Sequence, residues 1–163
     1  MDPFPYLYQI NASRGGVPKH AVPEAWVLVE GIRNDGHRNK ILHGGADRAI
    51  CVYSFELIQA LRQEGHPMHP GALGENFTLA GLDWRHIQPG DHMKIGEEVC
   101  IEFTSYCEPC RRIKQWFCNG DFNRVAQELH SGWSRLYARV LSEGQVRKGD
   151  QVFVEMPSER FLP

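Results

Sequence analysis

Glu98-Val-Cys-Ile-Glu-Phe-Thr-Ser105 is the stretch on which the fold turns: Val99, Ile101 and Phe103 recur at every second position, as the buried face of a half-exposed strand requires. Cys100 then points the other way. The strand runs directly into Tyr106-Cys-Glu-Pro-Cys110 and the basic residues Arg111, Arg112 and Lys114, so sheet and candidate chemistry meet at one place. Outward from it, Gln88-Pro-Gly-Asp-His-Met-Lys-Ile95 and Arg147-Lys-Gly-Asp-Gln-Val-Phe-Val154 share a design in which Gly-Asp turns the chain into a short strand. Trp133 to Leu141 alternates again. Ala49 to Ser54 is β-branched and apolar and leads into Phe55 to Glu64, where Leu57, Ile58 and Leu61 share a helical face that Gly65 ends. Residues 24 to 32 read as one strand closed by the Asn34-Asp35-Gly36 turn, and Arg111 to Phe117 as a helical turn. Asp121 is placed to cap a helix from Phe122 to His130.

Sixteen glycines and ten prolines in 163 residues exceed the usual ~12% share and point to many tight turns joining short elements. The prediction is one domain, mostly β: a closed or partly open antiparallel β-barrel with two or three short helices. Eighteen basic against twenty acidic residues leave a net charge of −2, which draws the chain neither to nucleic acid nor to an anionic membrane. No apolar run approaches the ~20 residues needed to span a bilayer, and Met1-Asp2-Pro3-Phe4-Pro5 lacks the features of a secretory signal; the expectation is a soluble, cytoplasmic chain. Five cysteines, an odd number, do not make a complete disulfide framework.

Two kinds of chemistry stand out. Cys107-Glu-Pro-Cys110 precedes three cations within four residues, and cations favour a thiolate, which is both the nucleophile and the soft metal ligand. Ser13-Arg-Gly-Gly-Val-Pro-Lys19 and His43-Gly-Gly-Ala-Asp-Arg48 are glycine pairs flanked by cationic residues. There, backbone N–H groups and charge-assisted hydrogen bonds could hold a phosphate. Neither matches a nucleotide-binding loop. Zinc would need two further ligands at suitable spacing, a thioredoxin-type pair would need a βαβ context, and a disulfide between Cys107 and Cys110 stays open.

Together these pieces resemble the MOSC domain, the module at the C-terminus of molybdenum cofactor sulfurases. Ser13-x-Gly-Gly-Val-Pro-Lys19, His43-Gly-Gly-x-Asp-Arg48, Pro70-Gly-Ala-Leu-Gly-Glu-Asn76, Gly90-Asp91 and Thr104-Ser-Tyr-x-x-Pro-Cys110 occur in the family's order, in a single domain with a core of about 13–155. The resemblance implies a barrel-like fold around one reactive cysteine, Cys110, which carries sulfur or ligates molybdenum. It also implies a pocket in which Lys19, His43, Arg48 and Asn76, with Arg14 and Arg111 nearby, receive the phosphate of an anionic pterin, the molybdenum cofactor. No role carries over to Cys107, which falls at a variable position. The pyridoxal phosphate domain of the fused sulfurases has no counterpart in this sequence, so sulfur would come from a separate donor. The alternatives are reduction of N-hydroxylated bases with electrons from a partner protein, and a plain zinc or thiol redox domain.

Overall fold

The computed structural model describes residues 4–36 and 45–157. Eleven strands and one α-helix are found among them: β1 (Tyr6–Ala12), β2 (His20–Val22), β3 (Glu24–Leu28), β4 (Gly31–Ile32), β5 (Ile50–Ser54), α1 (Phe55–Gln63), β6 (Phe77–Ala80), β7 (His92–Ile95), β8 (Val99–Cys107), β9 (Arg135–Ser142), β10 (Gly144–Arg147) and β11 (Val152–Glu155). Five short 3₁₀ turns complete the secondary structure there, at Ala46–Arg48, Trp84–His86, Arg111–Trp116, Cys118–Gly120 and Phe122–Val125.

Eight strands form one sheet in the order β11-β7-β8-β9-β5-β6-β1-β2, and β10-β3-β4 form a second. The large sheet is mixed, because β5 and β6 run parallel, which corrects the antiparallel expectation. The reason is local. The β5 strand feeds α1, whose N-cap Ser54 accepts a hydrogen bond from the Leu57 amide at 3.2 Å, and burial of Ile58 and Leu61 lays the helix on the sheet. Chain that crosses over through a helix returns parallel. A closed barrel is not found among the described residues: β1, next to the edge strand β2, touches the chain leading into β11 at the other edge through one bridge, Tyr6 to Gln151, and through backbone bonds from Leu7 and Val152 to Asp150 and Pro5 at 2.8 and 2.9 Å.

The alternation of β8 holds as read, with Val99, Ile101 and Phe103 buried beside Leu7, Ile10, Tyr53 and Phe77. Both Gly-Asp segments fold alike. Asp91 Oδ2 accepts from the Gln88 amide at 3.0 Å and Asp150 Oδ2 from the Arg147 amide at 2.8 Å, and the strands they start, β7 and β11, pair with each other. Two expectations fail. Residues 24 to 32 are not one strand but a hairpin turning at Val29-Glu30, where Val29 is exposed and has no core to face. Phe122 to His130 is not a helix: Asp121 makes no side-chain cap, the 3₁₀ turn stops at Val125, and Leu129 stays 66% exposed, so a second turn would gain no burial.

Candidate functional site

Three strand ends and two loops enclose a cavity of about 540 Å³. Its floor is one face of the sheet, and register dictates which residues form it. Cys51 on β5 pairs with Tyr137 on β9, which pairs in turn with Ser105 on β8, and Cys107 pairs with Arg135. Paired residues share a face, so Cys51, Ser105, Cys107, Arg135 and Tyr137 all turn toward the cavity. A bulge between Phe103 and Ser105 makes this possible. It inserts one residue, and Cys107, which strict alternation would send to the core with Val99, Ile101 and Phe103, faces the cavity instead.

The opposite wall is built from the loops before β2 and β6. Gly71 accepts the Lys19 amide at 2.9 Å, and its own amide donates to Glu75 Oε1 at 2.5 Å. Gly71 has φ +88°, and a Cβ there would lie 2.3 Å from the Lys19 carbonyl oxygen, so the approach of the two loops requires glycine. Asn76 ties the wall to the floor: its Oδ1 accepts the Cys51 amide at 3.0 Å and its Nδ2 donates to Asp35 Oδ2 at 2.9 Å. Asp35 is the hub. Its carboxylate also holds Lys19 Nζ at 2.7 and 2.9 Å and the Ser13 amide at 2.9 Å, with the Lys19 and Asp35 side chains only 7% and 1% exposed.

The charge pattern on the floor centres on Cys107, which is buried but lines the cavity. A hydrogen bond from Cys51 holds the Cys107 thiol well below its ordinary range, at about 6, with the positive charge of Arg135, a hydrogen bond from Tyr137 and the charge of Arg48 adding to the effect against the cost of burial. The same hydrogen bond, with burial and the negative charge at Cys107, pushes the Cys51 thiol up. Cys51 therefore donates and Cys107 accepts. Burial also raises Tyr137, which keeps its phenol protonated as a donor. Burial opposes the charge of Arg135, but Cys107, Cys51, Tyr137 and Glu75 together outweigh it and hold the guanidinium charged. Arg135 donates from one terminal nitrogen to the Leu73 carbonyl at 2.5 Å, while its buried Nε has no hydrogen-bond partner.

Of the residues singled out from the sequence, Lys19, Arg48, Asn76 and Cys110 line this one cavity. Cys110 is exposed at its mouth, at the start of the Arg111–Trp116 turn, and Arg48 lies over the Tyr137 ring at 5.2 Å. Lys19 and Asn76 are engaged by Asp35 and the Cys51 backbone. Arg14 and Arg111 are not brought in: Arg14 lines a groove with Trp26 and Arg33, and Arg111 one with Lys114 and Phe117, while Arg112 takes a place in the cavity. His43 lies outside the described residues. Sequence reasoning missed Cys51, Arg135 and Tyr137, which carry no local motif and meet only through strand register, and it read Asp35 only as part of a turn.

The MOSC domain model matches residues 39–153, more than half of the chain. The chain belongs to the MOSC domain family. It is 32% identical over 136 residues to the uncharacterized protein YflK of Bacillus subtilis (strain 168), covering 82% of this chain and 60% of that protein. It is 28% identical over 137 residues to a protein of Gibberella moniliformis (strain M3125 / FGSC 7600) named Reductase, covering 80% of this chain and 24% of the relative. The MOSC chain thus spans less than two thirds of either relative. Its fold is also that of the crystal structure of YiiM from Geobacillus stearothermophilus, with a TM-score of 0.71, 24% identity and coverage of 93% of this chain and 75% of that one. No helix among the described residues is long and apolar enough to cross a membrane.

Proposed function

We propose that this MOSC domain binds an anionic pterin-type ligand, the molybdenum cofactor, in the cavity above β5, β8 and β9, with Cys110 at the mouth as the thiol that carries sulfur or ligates molybdenum. The observation that carries the reading is the coincidence of exposed Cys110 with Arg48, Arg112 and Arg135 in one cavity of about 540 Å³, within the range that holds a small organic ligand. The residues fit such a group. The unpartnered Nε of buried Arg135 is a donor awaiting an acceptor, guanidinium groups suit phosphate, and cysteine sulfur suits a soft metal. Arg48, Arg112 and Arg135 would hold the anionic portion, and Cys110 would face the sulfur or metal end. When bound, the cofactor supplies a thiophilic, redox-active metal centre; the chain supplies charge neutralisation, orientation and the thiol. Lys19 acts here by fixing the wall through Asp35.

The sulfur or electrons come from a separate protein, a donor of sulfur or of electrons, in a cytoplasmic setting. The test is expression in a host that makes the cofactor, followed by elemental analysis for molybdenum and fluorescence detection of oxidised pterin. Wild type is expected to retain both, and Cys110→Ala to lose most of the metal. A wild-type protein free of pterin and metal overturns the reading. The relative named Reductase favours a second reading, in which the bound cofactor serves reduction of N-hydroxylated bases. A deletion strain more sensitive to such bases supports it, and unchanged sensitivity rejects it. The zinc alternative finds no gathering of three or more His, Cys, Asp or Glu side chains among the described residues.

A further inference from the structure

Nothing in the motif pattern points to where Cys107 lies. It lines the cavity together with Cys110, three strand positions bring Cys51, Arg135 and Tyr137 around it, and Arg135, 6% exposed, lines the same space with its Nε unpartnered. Cys51 on β5 lies across β9 from Cys107 on β8, and its thiol reaches the Cys107 sulfur as a hydrogen-bond donor. The chain from Cys107 to Cys110 runs on through Glu108 and Pro109 without a turn, and Cys110 itself is extended (φ −138°, ψ 173°).

We propose that Cys107 is a second nucleophilic thiol of this cavity and that it accepts a sulfane sulfur atom from a persulfide presented at the cavity mouth. This rests on the reading of the cavity as one that handles a sulfur-bearing ligand. The Cys107 thiolate attacks the outer sulfur of a donor R–S–SH, the donor S–S bond breaks, and R–S⁻ leaves and takes a proton from water. Cys107 then carries the atom as –S–SH, with no net oxidation or reduction. Each neighbour has a task. Cys51 and Tyr137 donate to the thiolate before attack. Arg135 and Arg48 offset its charge, and their guanidinium groups stabilise the departing thiolate. Two donors share this chemistry: a persulfide already on Cys110, or a small-molecule persulfide entering from solvent.

The experiment incubates wild type, Cys110→Ala and Cys107→Ala with glutathione persulfide, traps with iodoacetamide, and locates the added sulfur by fragment-ion mass spectrometry; circular dichroism verifies that each variant is folded. Sulfur on Cys107 in both wild type and Cys110→Ala supports the proposal with a small-molecule donor. Sulfur on Cys107 in wild type that is lost in Cys110→Ala supports it with Cys110 as the relay. Sulfur on Cys110 alone overturns it while leaving the role of Cys110 standing, and no sulfur on either cysteine overturns both. Arg135→Met is expected to slow labelling of Cys107 at pH 7 roughly tenfold and to move its pH profile upward, with Arg135→Lys restoring part of the rate. If Arg135→Met does not fold, Tyr137→Phe is expected to shift the profile in the same direction. A labelling profile that neither variant moves overturns the assignment.

Discussion

Replacing Asp35 by alanine removes the one carboxylate that holds the Lys19 ammonium, at 2.7 and 2.9 Å, together with the acceptor for the Ser13 amide and the Asn76 side chain. The Lys19 side chain is only 7% exposed, so water cannot take over the vacated positions without opening the loop. An uncompensated buried charge costs about 3–5 kcal/mol, against about 1 kcal/mol or less for an exposed pair. In a chain of this size each kcal/mol lowers the melting temperature by about 2–4 °C, so Asp35→Ala is expected to melt roughly 6–20 °C below wild type. Equilibrium urea unfolding of wild type, Asp35→Ala, Lys19→Met and the double variant Lys19→Met/Asp35→Ala measures the coupling directly. The double variant is expected to be more stable than the sum of the single losses requires, because it buries no lone charge. A double loss equal to the sum within about 0.5 kcal/mol, or an Asp35→Ala loss below about 1 kcal/mol, refutes the argument that this pair organises the cavity wall.

Gly71→Ala places a Cβ 2.3 Å from the Lys19 carbonyl oxygen at a residue with φ +88°, and is expected to cost at least about 2 kcal/mol in urea unfolding. A loss below about 1 kcal/mol means that the two loops do not need this approach. The depressed Cys107 ionisation, to about 6, links stability to pH: unfolding restores an ordinary thiol near ~8.5, so the unfolded chain binds more protons between the two values and stability rises with pH across that window. The contribution is complete above ~8.5 and vanishes as the pH falls through about 6. Unfolding free energies of reduced wild type minus Cys107→Ser should therefore grow from pH 6 to pH 8, and a flat difference refutes it.

Local pattern made much of this molecule legible. The period of two in Val99, Ile101 and Phe103 describes one strand correctly, because core burial on a single face leaves no other choice. The Gly-Asp segments were legible for the same reason: positive φ at Gly90 and Gly149 and the short Asp acceptor set the turn wherever the chain goes next. Failures fall where a local signal had nothing to pack against, as with Leu129, or where a strand folded back, as at Val29-Glu30. The parallel pairing of β5 with β6 depends on where a crossover lands, which no window of sequence contains. Asn34-Asp35-Gly36 was readable as a turn, and it is one, with Asn34 at φ +68°. That its aspartate would reach Lys19, Ser13 and Asn76 was not readable, since those residues are brought to it by three separate loops.

The glycine-bearing segments divide into a scaffold and a contributor to the cavity lining. Their cations and amides were read as phosphate-binding groups. Yet in loop 70–76 Gly71 admits the Lys19 backbone, Glu75 receives the Gly71 amide, and Asn76 holds the Cys51 amide, so that loop is chiefly a scaffold. Of the guanidinium groups that reach the cavity, Arg48 closes one of the two glycine-pair motifs, while Arg112 comes from the turn after Cys110 and Arg135 is the first residue of β9. One inserted residue in β8 then decides the chemistry. Without the bulge after Phe103, Cys107 would join the hydrocarbon side of the sheet, where a thiol has neither donor nor cation. With it, the side chain crosses to the face occupied by Arg135, Tyr137 and Cys51. A position that sequence pattern leaves unassigned thereby becomes the most strongly polarised thiol of the cavity, and its reactivity is a property of register before it is a property of motif.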